Sequence, residues 1–290
     1  MKIQSLSLQV PTKGCVNNCK YCVSKIHSDQ FNTETDLSEM GKRLLFAKEN
    51  NCNTLILTGT GECLQNKQFL KNFHLINKSL PYPFIWIELQ TSGVMLNQEN
   101  IDFLKNIGVV TISLSLSDMF DNISNQEITG TPDTLKIDID ETCKLIKDNK
   151  LNLRLSLNMS SVYNKKSVSD IFDRVVQLNA DQITFRKLYY TEEDNEINNW
   201  IKNNNCNKEI FDNIVDIISG RISDIKISTP LEILPFGAIK YSVSWNKRNF
   251  SCVIDDDCMS RELKDTAKYF ILRPNCKLYS KWDDTASLIF

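Results

Sequence analysis

Short apolar runs rich in β-branched and aromatic residues recur through the first two thirds of the chain, at 2–10, 54–58, 84–89, 109–116, 151–158 and 182–188. Their length and composition predict strands. Between them, apolar residues return at helical spacing over 37–50, 66–79, 97–107, 137–150 and 167–178, which predicts helices. Asp36 or Ser38 is the expected N-cap of the first helix and Asn97 that of the third. Strand–helix alternation predicts βαβ units and a parallel sheet. Six such units are too few for a closed eight-fold barrel but enough for an open or partial one, whose ligand site lies at the C-terminal ends of the strands.

The later strands also carry polar residues at every second position. Arg154, Ser156 and Asn158 alternate with Leu153, Leu155 and Leu157. Ser113, Ser115 and Ser117 alternate with Ile112, Leu114 and Leu116, and Thr184 and Arg186 with Ile183 and Phe185. A period of two puts each set on one face. Helices claim the apolar face, so the polar set is expected to line the barrel interior; the alternative is a solvent-facing antiparallel sheet. After Tyr190 the pattern changes to a polar segment, a helix near 208–218, and two hairpins near 238–254 and 268–281. The predicted organisation is a barrel over 1–190, a helical connector over 191–229 and an α+β cap over 230–290.

Composition adds exclusions. In 290 residues the hydrophobic share is 41%, the charged share 24% and the net charge −2, ordinary values for a globular chain. No Lys/Arg run suggests a large nucleic-acid footprint. The first fifteen residues alternate like a strand and lack the apolar core of a signal peptide, and no run approaches a membrane span; a cytoplasmic protein is expected. In a reducing compartment ten cysteines are small hydrophobes, metal ligands or catalytic groups rather than disulfides. Cys52, Cys143 and Cys206 stand singly and read as core residues.

Cys15, Cys19 and Cys22 stand together on a loop led by Gly14. Three thiolates there suit an iron–sulfur cluster with one iron left open. Zinc is the alternative, with His27 completing a tetrahedral set; three unliganded thiols are the third. This CxxxCxxC, with Tyr21 before its last cysteine, resembles the signature of radical S-adenosylmethionine (SAM) enzymes. So do the residues at successive strand ends. Thr58-Gly59-Thr60-Gly61-Glu62 is similar to the family's Gly-Gly-Glu, with Thr60 where the second Gly usually sits. Thr91-Ser92-Gly93 is similar to Thr-Asn-Gly, and Ser113-Leu114-Ser115 and Leu157-Asn158-Met159 resemble SAM-binding strands. The resemblance covers about residues 1–190.

The resemblance implies an α/β fold, a partial (β/α)6 barrel with a [4Fe–4S] cluster at its mouth on Cys15, Cys19 and Cys22, and SAM bound at the open iron. Gly59, Thr60, Gly61 and Glu62 would hold the methionine amine, with Thr91 in the same set. Tyr21 would lie near the adenine, and Ser115, Asn158 and Arg154 near the ribose and carboxylate. A 5′-deoxyadenosyl radical would then take hydrogen from the substrate. Arg186 would contact SAM or an anionic substrate group, or else pair internally with Glu88 or a neighbour. The tail over 268–284 resembles the C-terminal cap of cofactor- and peptide-modifying members, in which cysteines bind a second cluster. Cys252, Cys258 and Cys276 are the candidate ligands, although their spacing is wide and Ser280 and Lys281 occupy the place of a further cysteine. The acidic run 255–257 disfavours an anionic cluster. The implied partners are a small-molecule or nucleotide-like substrate and an electron donor such as flavodoxin or ferredoxin. A peptide-modifying or glycyl-radical-forming member, and a zinc-stabilised binding module, are the alternatives.

Overall fold

The structure is a computed structural model and describes residues 2–26, 35–220, 228–234, 237–255, 266–282 and 284–290. The six expected strands form as β1 (Lys2–Val10), β2 (Thr54–Gly59), β3 (Trp86–Thr91), β4 (Val109–Leu116), β5 (Asn152–Met159) and β6 (Gln182–Lys187). The tail adds β7 (Ser228–Ile233), β8 (Ile239–Trp245), β9 (Arg248–Asp255), β10 (Thr266–Leu272) and β11 (Leu278–Tyr279). All eleven join one sheet in the order β11-β10-β1-β2-β3-β4-β5-β6-β9-β8-β7.

In that order the strands of the tail flank the six barrel strands. β10 pairs parallel to β1 and β9 parallel to β6, so the tail extends the parallel sheet at both edges. The reason lies in the strands themselves, which carry the same two faces as the barrel strands. Phe270 and Leu272 are fully buried on the core side, while Tyr269 faces the interior cavity. The expected hairpins form at β8–β9 and β10–β11. Asn246 and Lys247, both with positive φ, supply the tight turn that matches strand twist in the first.

The helices follow the strands: α1 (Val23–Ile26), α2 (Met40–Glu49), α3 (Lys67–Lys78), α4 (Gln98–Asn106), α5 (Asn122–Thr129), α6 (Ile139–Asp148), α7 (Val168–Gln177), α8 (Glu196–Asn204) and α9 (Lys208–Ser219). Asn97 caps α4 as expected, accepting from Asn100 N. Asp36 and Ser38 do not cap α2: its N-cap is Glu39, with no side-chain bond, and the Asp36 carboxylate accepts from Ser38 instead. α5 and α8 are additions, short and polar enough to lack a clear apolar period. Outward-facing Leu6, Leu55, Leu114, Leu155 and Phe185 are buried against helix residues such as Leu44, Phe73 and Phe172 in one continuous core.

If the tail is integral to the sheet, Phe270→Ala should destabilise the whole chain. Its buried ring packs on Phe46, so the expected loss is about 3–5 kcal/mol. Urea denaturation should show one transition moving to lower denaturant; an early separate transition, with the main one unmoved, would mark the tail as an independent unit.

Candidate active site

The cysteine loop leaves the C-terminal end of β1 and is braced from three sides. The free carbonyls at the end of α5 accept its amides: Asn18 N donates to Thr129 O (3.1 Å) and Gly130 O (3.2 Å), and Lys20 N to Ile128 O (3.1 Å). Unpaired C-terminal carbonyls are what a helix end offers. Gly130 caps α5 at φ 58°, and a Cβ there would stand 2.6 Å from Asn18 O, so glycine permits the approach. The turn after β2 closes the second side, where a Cβ on Gly61 would meet Gly14 O at 2.4 Å. The third contact is Tyr21, whose hydroxyl bonds Ser117 Oγ (2.6 Å) and accepts from Asn158 Nδ2 (3.0 Å), tying the loop to the ends of β4 and β5. Its ring leans on Trp200 of α8, centroids 6.1 Å apart.

Inside the sheet a cavity of about 420 Å³ opens. Cys19, Tyr21, Cys22 and Gly59 form its wall at the loop, and Ser115, Arg154, Asn158 and Arg186 project into it from β4, β5 and β6. The polar face of the strands therefore lines the interior, as the alternation predicts. Cys15, Thr60, Gly61, Glu62 and Thr91 stand off this wall. Glu62 is buried, with its Oε2 accepting from Ser92 N (3.1 Å) and Oγ (2.9 Å), so it fastens the end of β2 to that of β3. Thr91 Oγ1 accepts from Gly93 N (3.0 Å). Arg154 is ion-paired with Glu88 across β4, which gives it, not Arg186, the internal pairing.

The residues fit a metal cluster by their chemistry. Burial pushes the Cys19 thiol up to about 12, and Cys22 and Cys15 push it further in the same direction; Cys15 is raised chiefly by burial too. Thiols close enough to oppose each other's ionisation need a cationic centre to become thiolates together. Among the described residues no three such side chains already converge as a ligand set, so the loop's sulfurs would turn inward to bind. The other cysteines are not assembled. Cys252 lies fully buried on the core face of β9 and Cys276 in the β10–β11 turn, strands near opposite ends of the sheet order. Cys258 and His27 lie outside the described residues. Cys52, Cys143 and Cys206 are buried, as expected of core residues.

Several site residues escaped sequence reasoning. Gln9 continues the inward Ser5–Ser7 face of β1, and both ends of its buried amide lack a partner. Trp200 sat in an unremarkable polar segment. Tyr269 and Trp282 lay in the quoted tail but gave no sign of facing the cavity.

The family model described as the radical SAM superfamily matches residues 10–175, more than half of the chain. This chain belongs to the radical SAM superfamily. As a radical SAM enzyme it uses SAM and a [4Fe–4S] cluster and requires a substrate and a source of electrons. Its fold is shared with solved structures at low identity. SAM-bound SuiB from Streptococcus suis matches with a TM-score of 0.53 at 15% identity, over 95% of this chain and 60% of that one. AdoMet-bound anSMEcpe matches with 0.52 at 13%, over 96% and 74%, and HemN, the coproporphyrinogen III oxidase of Escherichia coli, with 0.51 at 11%, over 85% and 67%. The chain spans about half (48%) of the peptide-bound SuiB chain. No curated protein sequence matches it. Among the described residues no helix is long and apolar enough to cross a membrane.

Burial raises the Glu62 carboxyl above its ordinary value, with hydrogen bonds from Thr91 and Ser92 opposing the rise. A raised carboxyl favours the neutral form in the fold, so its contribution is full below the unfolded pKa and lost as pH rises through the folded one. Glu62→Gln keeps a carbonyl for Ser92 and removes that loss. The variant should gain on wild type as pH rises above the ordinary carboxyl range, read as a growing Tm difference; a pH-independent difference would contradict the buried-carboxyl account.

Proposed function

We propose that this enzyme cleaves SAM reductively and abstracts a hydrogen atom from a small molecule enclosed in the barrel. The observation that carries this reading is one cavity lined both by Cys19, Tyr21 and Cys22 of the cysteine loop and by Tyr269 and Trp282 of the tail. About 420 Å³ is within the range of small-molecule sites. When bound, the cluster and SAM supply methionine and a 5′-deoxyadenosyl radical.

The chain's own work is holding and shielding. Cys15, Cys19 and Cys22 would carry the cluster. Gly59 presents backbone without a side chain at the cavity wall, suited to the methionine amine. Ser115, Asn158 and Arg154 offer hydroxyl, amide and guanidinium groups for the ribose and carboxylate. The Tyr21–Ser117–Asn158 bonds fix the loop against the strand ends, which sets the distance between cluster and cavity. Glu62 and Thr91 act behind the wall by joining two strand ends. We assign residues 1–190 to the cofactors, 191–229 to a connector and 230–290 to the wall closing on the substrate, which is small or nucleotide-like. Exposed Lys13, Lys20 and Lys25 surround the cysteine loop, and charge complementarity favours an acidic one-electron donor such as a flavodoxin or ferredoxin. Nine free cysteines among the described residues suit the reducing cytoplasm.

Anaerobic reconstitution should give about four iron and four sulfide per chain and 5′-deoxyadenosine from SAM under reductant. Cys19→Ala should lose the iron and reduce 5′-deoxyadenosine to background. A protein that retains zinc in place of iron and leaves SAM intact would overturn the reading in favour of a zinc-stabilised binding module.

A further inference from the structure

The strands β5, β6, β9 and β10 all contribute to the cavity wall, which holds an unequal set of charges. Two guanidiniums project from neighbouring strands, Arg154 on β5 and Arg186 on β6. Arg154 is committed, ion-paired with Glu88 and donating from Nε to Ser113 Oγ (3.4 Å). Arg186 stands level with Asn158 on one side and Asp255 on the other. Its Nε is buried without a hydrogen-bond partner, and it makes no ion pair among the described residues. Asp255 is engaged in a contact of its own. The two guanidiniums sense each other: burial first and Arg186 second push Arg154 down to about 10. Lys187 adds a third cation to the same cavity wall.

A buried donor without an acceptor is costly, and so are like charges on neighbouring strands of a partly buried wall. An oxyanion at Arg186 relieves both. The same cavity is lined by Tyr269 and Trp282, which meet edge to face at 6.2 Å and 69°, an apolar surface fit for a ring or hydrocarbon body.

We propose that Arg186 binds a carboxylate of the substrate, so that this radical SAM enzyme acts on an acidic small molecule whose apolar part packs on Tyr269 and Trp282. The inference rests on the enclosed-substrate reading above. A planar guanidinium with a free Nε–H suits a carboxylate's two oxygens, which a lysine ammonium would match less well. The same chemistry could come from the carboxylate of SAM itself, and the test separates the two sources.

The probe is benzoate, with benzamide as its neutral counterpart, titrated into reconstituted holoenzyme with and without saturating SAM. Benzoate should bind roughly tenfold or more tightly than benzamide, with SAM present as without it. Arg186→Gln should bring the two ligands to parity, and Arg186→Lys should keep part of the preference. Iron content and circular dichroism establish that the variants are folded; should Arg186→Gln not fold, the wild-type ratio and the effect of SAM still decide. Equal binding of the two ligands to wild type, or a preference that survives Arg186→Gln, overturns the inference. Displacement of benzoate by SAM also overturns it and assigns the oxyanion to the cofactor. Holoenzyme that makes 5′-deoxyadenosine but shows no preference refutes this inference alone. A preference without 5′-deoxyadenosine refutes the enclosed-radical reading alone.

Discussion

The barrel strands of this sheet must satisfy two incompatible neighbours, helices on one side and a polar cavity on the other. The period-two alternation of leucine with serine, asparagine and arginine resolves that conflict strand by strand. Leu153, Leu155 and Leu157 seal against helices while Arg154, Ser156 and Asn158 turn inward. A one-residue slip would invert both faces, so the same pattern that fixes the register also fixes the chemistry of the interior. The cost is a set of buried polar groups, some paired within the protein, as Arg154 is with Glu88. Others, such as Gln9 and the Arg186 Nε, lack a protein partner.

The cysteine loop depends on this frame without being part of it. It is irregular backbone held by helix-end carbonyls, by two glycines that allow backbone to approach backbone, and by the Tyr21 hydroxyl. Such bracing lets a loop carry reactive chemistry while the rigid elements hold its position. Two short helices do much of this work. α5 receives the loop's amides, and α8 supplies the Trp200 ring behind Tyr21.

Legibility followed the physics of each element. β1 and β4 were readable to the residue, because strand alternation runs through both and turn residues follow β1 and flank β4. α5 and α8 were not, because short polar helices held by caps and tertiary contacts leave little apolar period to read. The cluster motif and the inward polar set were legible as patterns. The bonds from Glu62 to Ser92 were not legible: a carboxylate at a Gly-rich strand end reads as a ligand group, and the link to Ser92 depends on three-dimensional proximity. The pairing partners of the tail's strands were not legible for a similar reason. Strand pairing across more than 200 residues, as between β1 and β10, has no local signature, so a segment that completes the sheet reads as an appendage.

The central claim is that Cys15, Cys19 and Cys22 hold a [4Fe–4S] cluster with one iron open to SAM. Electron paramagnetic resonance of the reduced, reconstituted enzyme tests it most directly. The account predicts a [4Fe–4S]⁺ signal whose g-values shift when SAM is added, because SAM enters the coordination of the open iron. A cluster signal indifferent to saturating SAM, or no cluster signal at all, would contradict it.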